Sequence, residues 1–162
     1  MNSNDDNMKI VKLKSLDGKL FEIEENCLER AKFFKEIIDI MNLNEEIKVD
    51  VGSKILEKII EYLKHYVNEE PIVIQKPIPN DDLKQFLNEW DFNYITSLSL
   101  EETIDMINAA NYMNIKELVD LCSARLAWEM INCPIHDARR KFGILEDMTE
   151  EEVQQFDKYP ND

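Results

Sequence analysis

Two histidines, three cysteines and many carboxylates are the side chains of this chain that could do chemistry. His65 and His136 lie far apart, and neither has a Cys or His partner at the spacing a metal ion needs. Both are expected at the surface or its rim. Cys27, Cys122 and Cys133 share no metal-like spacing. Cys122 lies on an apolar helical line, which suits packing better than nucleophilic chemistry. An odd number of cysteines points to free, mostly buried thiols in a reducing compartment. The 34 acidic residues could supply a carboxylate pair, but solvated acidic helices do so too. Three glycines in the whole chain cannot build a phosphate-cradling loop. No catalytic constellation emerges, and neither a metal nor a cofactor is expected.

Charge narrows the partners. The 34 acidic residues against 19 basic ones give a net charge of −15. That disfavours nucleic acid, which needs clustered Lys and Arg, and equally an anionic membrane surface. The start, MNSNDDNMK, has no apolar core of a secretory signal, and no apolar run approaches the roughly 18–20 residues of a membrane span. Cytoplasm and nucleus are the expected compartments. A length of 162 residues with 44 % hydrophobic side chains suits one folded domain with at most an appendage.

The elements that would position any site follow from periodicity. Residues 1–8 are polar and expected to be disordered. Val11 and Leu13 alternate with Lys12 and Lys14, and Phe21 and Ile23 with Glu22 and Glu24. Asp17-Gly18 between these runs predicts a hairpin, because its turn needs positive φ. Asn26 with Glu29 can cap a helix, and two short helical pieces are expected between Cys27 and Met41, with Phe33, Phe34, Ile37, Ile38 and Met41 inward. Residues 45–51 alternate as a third strand. Gly52-Ser53 opens a long helix carrying Ile55, Leu56, Ile59, Ile60, Leu63, Tyr66 and Val67. Residues 68–82 read as a loop, stopped by Pro71, Pro77 and Pro79. A short helix from Asn80-Asp81 through Trp90 follows, then a connector over 91–96. The class is α+β, mostly helical, with few strands and no internal repeat.

A helix pair follows. Ser99-Leu100-Glu101-Glu102 is a capping box. Leu100, Thr103, Ile104, Ile107 and Ala110 then share a face, with Asn111 and Tyr112 off it near the end. Asn114 and Glu117 offer a second cap. From Lys116 to Ile131 the apolar residues occupy most of the helix surface: Leu118, Cys122, Leu126 and Met130 form one line, and Leu121, Ala124, Trp128 and Ile131 another. Such a helix is either central in the core or covered by a partner. Beyond Asn132-Cys133-Pro134, a short basic helix spans His136 to Phe142. Thr149-Glu150-Glu151-Glu152 introduces a last one, to about Asp157.

Five of these runs, in order, resemble the Skp-type adaptor of cullin–RING ubiquitin ligases, a member of the BTB/POZ fold group. They are the hairpin Val11–Ile23, the helix Ile55–Tyr62 with His65, the run Ala109-Ala110-Asn111-Tyr112-Met113-Asn114-Ile115-Lys116-Glu117-Leu118, the segment Arg139–Ile144, and Thr149–Glu152. The resemblance implies a BTB/POZ fold with a small three-stranded sheet and a C-terminal helical extension. Residues 9–113 would form the cullin-binding domain, and 114–162 the F-box-binding helices, continuous with the core. It implies a non-catalytic scaffold for ubiquitin-dependent degradation, with a cullin and F-box proteins as partners and a RING subunit reached indirectly through the cullin. Asn111 and Tyr112 would contact the cullin. Val119, Ser123, Leu126, Met130, Phe142 and Ile144 would form the F-box surface. Any homodimer would belong to the F-box-free chain.

The chain departs from the family in places. Trp128 stands where a small or polar residue is usual, and the loop at 68–82 is less acidic than is common. The tail lacks the usual terminal Trp-Cys-Glu-Glu-Lys, leaving Phe156 and Tyr159 as the aromatics to take its place. Pro134 falls one residue early relative to Phe142 and Ile144, so the proline modification of some protist members is not expected. Elongin C, the other adaptor of this fold, stops near the end of the wide helix, so the residues from Pro134 onward favour the Skp type. A self-associating BTB/POZ domain is the alternative of a different class.

Overall fold

The computed structural model describes residues 9–40, 45–78 and 82–142. Strands β1 (Ile10–Lys14) and β2 (Leu20–Glu24) form an antiparallel hairpin with Val11 opposite Ile23 and Leu13 opposite Phe21. Val11, Leu13 and Ile23 are buried while Lys12 and Glu22 face out, as period-two alternation requires. The connection is longer than a two-residue turn. Ser15 and Lys19 close it by backbone and side-chain bonds, and Gly18 supplies the positive φ of 88°. Strand β3 (Glu46–Lys48) lies parallel to β1, giving the order β2-β1-β3. The ladder is shorter than the expected 45–51, yet Val49 and Val51 stay buried, and the Val51 carbonyl accepts from the Leu16 amide at 2.9 Å.

Between β2 and β3 lie a 3₁₀ turn (Glu25–Leu28) and α1 (Lys32–Ile38). Asn26 does not cap a helix as expected; it sits inside the 3₁₀ turn, and neither element has a side-chain cap. Phe34 is fully buried, but Phe33, Ile37 and Ile38 are only half-buried, and Met41 lies outside the described residues. Successive helical residues point about 100° apart, so Phe34 enters the core while Phe33, Ile37 and Ile38 pack against its edge.

Helix α2 (Ser53–His65) buries Leu56, Ile59, Ile60, Tyr62 and Leu63, followed by Tyr66. Its start has no cap of its own. Asp17 of the hairpin connection serves instead, accepting from the Ser53 amide at 2.7 Å and from its hydroxyl at 2.6 Å. At the other end, Arg30 donates to the carbonyl of the C-cap Tyr66 at 3.0 Å, a group that a helix terminus leaves without a partner, and to the Glu69 carbonyl of the following loop at 2.7 Å.

The expected helix through Trp90 divides in two. A 3₁₀ turn (Leu83–Gln85) is capped by Asp82, and Asn88 then caps α3 (Glu89–Thr96), which occupies the predicted connector. The proposed starters Asn80 and Asp81 lie outside the described residues. Asn88 and Asp91 explain the restart. The Asn88 side chain accepts from the Asp91 amide and donates to the Tyr66 hydroxyl, which donates to the Asp91 carboxylate at 2.7 Å. Asp91 is buried, which raises its pKa, so not every carboxylate lies on a solvated face. His65 stacks on Trp90 at 3.7 Å, within an aromatic group that includes Tyr62, Tyr66 and Tyr94. It is a rim residue with a packing role.

Helix α4 (Leu100–Tyr112) starts with the expected capping box: Ser99 accepts from the Glu102 amide and Glu102 accepts from the Ser99 amide. Glu102 also pairs with Lys54 at 2.5 Å, tying the starts of α2 and α4 together. Helix α5 (Lys116–Ile131) packs against α3 and α4, and α6 (Ile135–Lys141) follows the Pro134 break. Among the described residues no helix is long and apolar enough to cross a membrane.

These tethers predict an acid-sensitive fold. The Ser53 hydroxyl holds Asp17 down to about 2, and Lys54 holds Glu102 down to about 2. Because both folded-state values lie below the ordinary 3.8 and 4.5 of the unfolded chain, their stabilisation is complete above about pH 5. It is lost as pH falls towards 2. In a series of thermal unfolding curves, Asp17→Asn and Glu102→Gln should each flatten the decline between pH 5 and 2. A decline as steep as that of the parent chain would refute the assignment.

Candidate functional site

The α4–α5 junction is built by one backbone conformation. Asn114 has φ 55°, in the left-handed region, and the Ile115 amide reaches back to the Ala110 carbonyl at 2.9 Å while the Asn114 amide reaches Asn111 at 3.1 Å. This is a Schellman closure, and asparagine is the non-glycine residue that most readily adopts its left-handed position. Asn114 is therefore the stop of α4 and not the cap of α5, whose N-cap is Ile115 without a side-chain bond. Asn114→Ala should lower stability by about 1 kcal/mol, read as a lower urea midpoint, and Asn114→Gly should not. Equal losses in both variants would mean that the side chain, not the backbone, is what matters.

The closure leaves Asn111 and Tyr112 exposed at the end of α4, with Tyr112 43 % accessible. The buried face is Thr103, Met106, Ala109 and Ala110. Ile104, placed on the apolar face from sequence, is 37 % exposed; Leu100 and Ile107 are half-buried. Ile104, Asn108 and Asn111 follow one another at helical spacing, so the outward row is longer than the two residues singled out from sequence. Phe33 extends it. Its ring lies 4.9 Å from that of Tyr112, and its amide donates to the Met113 carbonyl at 3.3 Å. Sequence reasoning turns Phe33 inward; it does pack against the core, half-buried, and its other side meets Tyr112.

The wide helix divides along its length. Leu118, Leu121, Cys122 and Ala124 are buried, and burial pushes the Cys122 thiol up to about 12, so it has no thiolate character. From Arg125 onward no side chain of α5 is fully buried, and Met130 and Ile131 are 56 % and 57 % exposed. Of the expected F-box residues, Val119 is half-buried against the core, Ser123 exposed, Leu126 half-buried and Met130 exposed. Their spacing of four, three and four puts these four on one face. Phe142, just past α6, is half-buried. Ile144, the Thr149–Glu152 capping box, Phe156 and Tyr159 lie outside the described residues, as do residues 1–8.

Polar contacts join the ends of α5 and α6. Lys141 pairs with Glu129 at 2.5 Å, and Arg125 pairs with Glu129 one turn away. The Arg125 guanidinium also lies 4.9 Å from the centre of the Trp128 ring, which gives the unusual Trp128 a partner. The other two cysteines are free, Cys27 buried and Cys133 half-buried. Among the described residues no three His, Cys, Asp or Glu side chains converge as metal donors.

Comparison with known proteins gives a consistent result. The family described as "Skp1 family, tetramerisation domain" matches residues 9–68. The S-phase kinase-associated protein 1 homolog of Tetrahymena thermophila is 33 % identical over 146 residues, covering 90 % of this chain and 88 % of that protein. SKP1-like protein 11 of Arabidopsis thaliana is 34 % identical, with 89 % and 90 % covered, and SKP1-like protein 13 of the same plant is 30 % identical, with 93 % and 94 % covered.

Proposed function

The chain belongs to the Skp1 family, a family of non-catalytic adaptors, and from that premise we propose that it joins a cullin to F-box substrate receptors in an SCF-type ubiquitin ligase. The cullin would dock on the outward row of α4, at Asn111 and Tyr112, with Ile104 and Phe33 beside them. The F-box would cover one face of α5 together with α6, at Val119, Ser123, Leu126, Met130, Phe142 and Ile144. Residues 9–113 would serve the first partner and 114–162 the second, and the RING subunit would be reached through the cullin. The protein would work in cytoplasm and nucleus.

One observation carries this reading: α5 is buried in its first half and leaves apolar side chains accessible in its second, Met130 and Ile131 above half. Apolar residues gathered in this way at one end of a helix suit a protein partner. The presence of α6 beyond α5 favours the Skp type over an elongin-C-like adaptor. Affinity purification from the native cell, read by mass spectrometry, tests the whole assignment. Recovery of a cullin with F-box proteins is expected. Recovery of the chain with itself alone would favour a self-associating domain.

A further inference from the structure

We propose that Glu129 is a positioning residue for the F-box surface, bridging Arg125 on α5 and Lys141 at the end of α6 so that the two helices are held together before an F-box arrives. The inference rests on the F-box reading above and adds to it the device that preassembles the surface.

Three observations converge on Glu129. Arg125 and Glu129 are the only charged residues between Leu121 and Ile131, in the most apolar stretch of the chain. Both are well covered, with side chains 12 % and 13 % exposed. A carboxylate and a guanidinium so covered on an apolar helix cost desolvation energy unless each finds a partner. Arg125 finds Glu129 as an ion pair and rests on the Trp128 ring. Glu129 finds a second cation across the Asn132–Pro134 break, since Lys141 Nζ donates to its Oε2 at 2.5 Å.

Helix α6 needs such a hold. It has seven residues, fewer than an isolated helix requires to persist in water, and no side-chain cap at its start. Lys141 sits in its last turn, next to Phe142 of the proposed surface. Neutralising Glu129 therefore does two things: it releases Lys141, and it leaves Arg125 covered without the counter-charge it has among the described residues. The docked fraction of α6 falls, and the apparent affinity for a partner that needs α6 docked falls by the same factor.

The test measures both quantities on the intact chain. Hydrogen exchange reads the protection of the α6 amides, among them Ala138 and Phe142, which bond to Pro134 and Ala138. Calorimetry reads the affinity for a recombinant F-box domain from a partner recovered by affinity purification. Glu129→Gln should lower α6 protection by roughly tenfold, the size of one charge-assisted bond, and lower F-box affinity by the fall in docked fraction that the remaining protection implies. Lys141→Met should do the same, and Lys141→Arg should restore both. Cullin affinity should stay unchanged in both variants; the urea midpoint should fall in Glu129→Gln, which strands the covered Arg125, and hold in Lys141→Met, which leaves the Arg125–Glu129 pair in place. Unaltered α6 protection in Glu129→Gln overturns the bridge. Protection lost far enough to leave α6 mostly undocked, with unaltered F-box affinity, overturns the positioning role and leaves the F-box reading standing. Protection lost as expected in Glu129→Gln, together with a parent chain that binds no F-box domain, overturns the F-box reading instead.

Discussion

Asn111→Lys should abolish cullin binding and leave F-box binding intact. Asn111 is exposed at the last turn of α4, and what holds that turn is the backbone closure through Asn114 rather than the asparagine side chain. A lysine there can extend into water without disturbing the fold, so lost affinity reports on the interface. Tyr112→Lys should have the same outcome with an added cost. Its ring packs 4.9 Å from Phe33, and losing an aromatic pair removes about 1 kcal/mol of stability. Central interface residues, aromatic ones above all, cost about 2 kcal/mol or more when removed, or roughly 30-fold in affinity. Binding of a recombinant cullin N-terminal domain, followed by calorimetry beside F-box binding, decides the matter. If both activities fall together, the α4 row is structural and the assignment of the cullin surface fails.

Leu126→Asp should do the reverse. Leu126 is half-buried, so the aspartate can reach water in the free chain, but an F-box laid over it would seal an unpaired carboxylate. That costs about 2–5 kcal/mol, which weakens binding by roughly 30-fold to several thousandfold. Met130→Asp is the control for folding, because Met130 is 56 % exposed and a charge there leaves the core untouched. Full F-box binding by both variants would exclude this face as the partner surface.

Much of the fold was legible because its signals are local. Alternation marked β1 and β2, three-four spacing marked α2, and the Ser99–Glu102 pair marked the start of α4. What escaped depends on residues distant in sequence. The cap of α2 comes from Asp17, 36 positions earlier, so no reading of residues 50–54 could supply it. The break before α3 follows from the tie between Asn88, Asp91 and Tyr66, 22 to 25 positions apart. Asn114 was read as a cap because asparagine caps helices; its left-handed φ is visible only once the two helices are placed. For the candidate site, the pattern separated Asn111 and Tyr112 from the core and recognised the excess apolar surface of α5. It could not show that Ile104 turns outward, or that Phe33 meets Tyr112, since both depend on which side of a helix its neighbours occupy.

The Asn114 turn also has a mechanical meaning. Helix α5 runs 16 residues beyond it, roughly 24 Å at 1.5 Å per residue. With Asn111 and Tyr112 at the fulcrum and Met130 near the far tip, the helix is a lever. A tilt of about 10° at the turn would carry that tip through roughly 4 Å, about three times the rise per residue. Whatever is gripped at the tip would inherit that sweep relative to whatever is gripped at the fulcrum. A joint closed by two backbone hydrogen bonds and formed without glycine limits the swing, so the stiffness of one short turn governs how accurately two distant cargoes are aimed at each other.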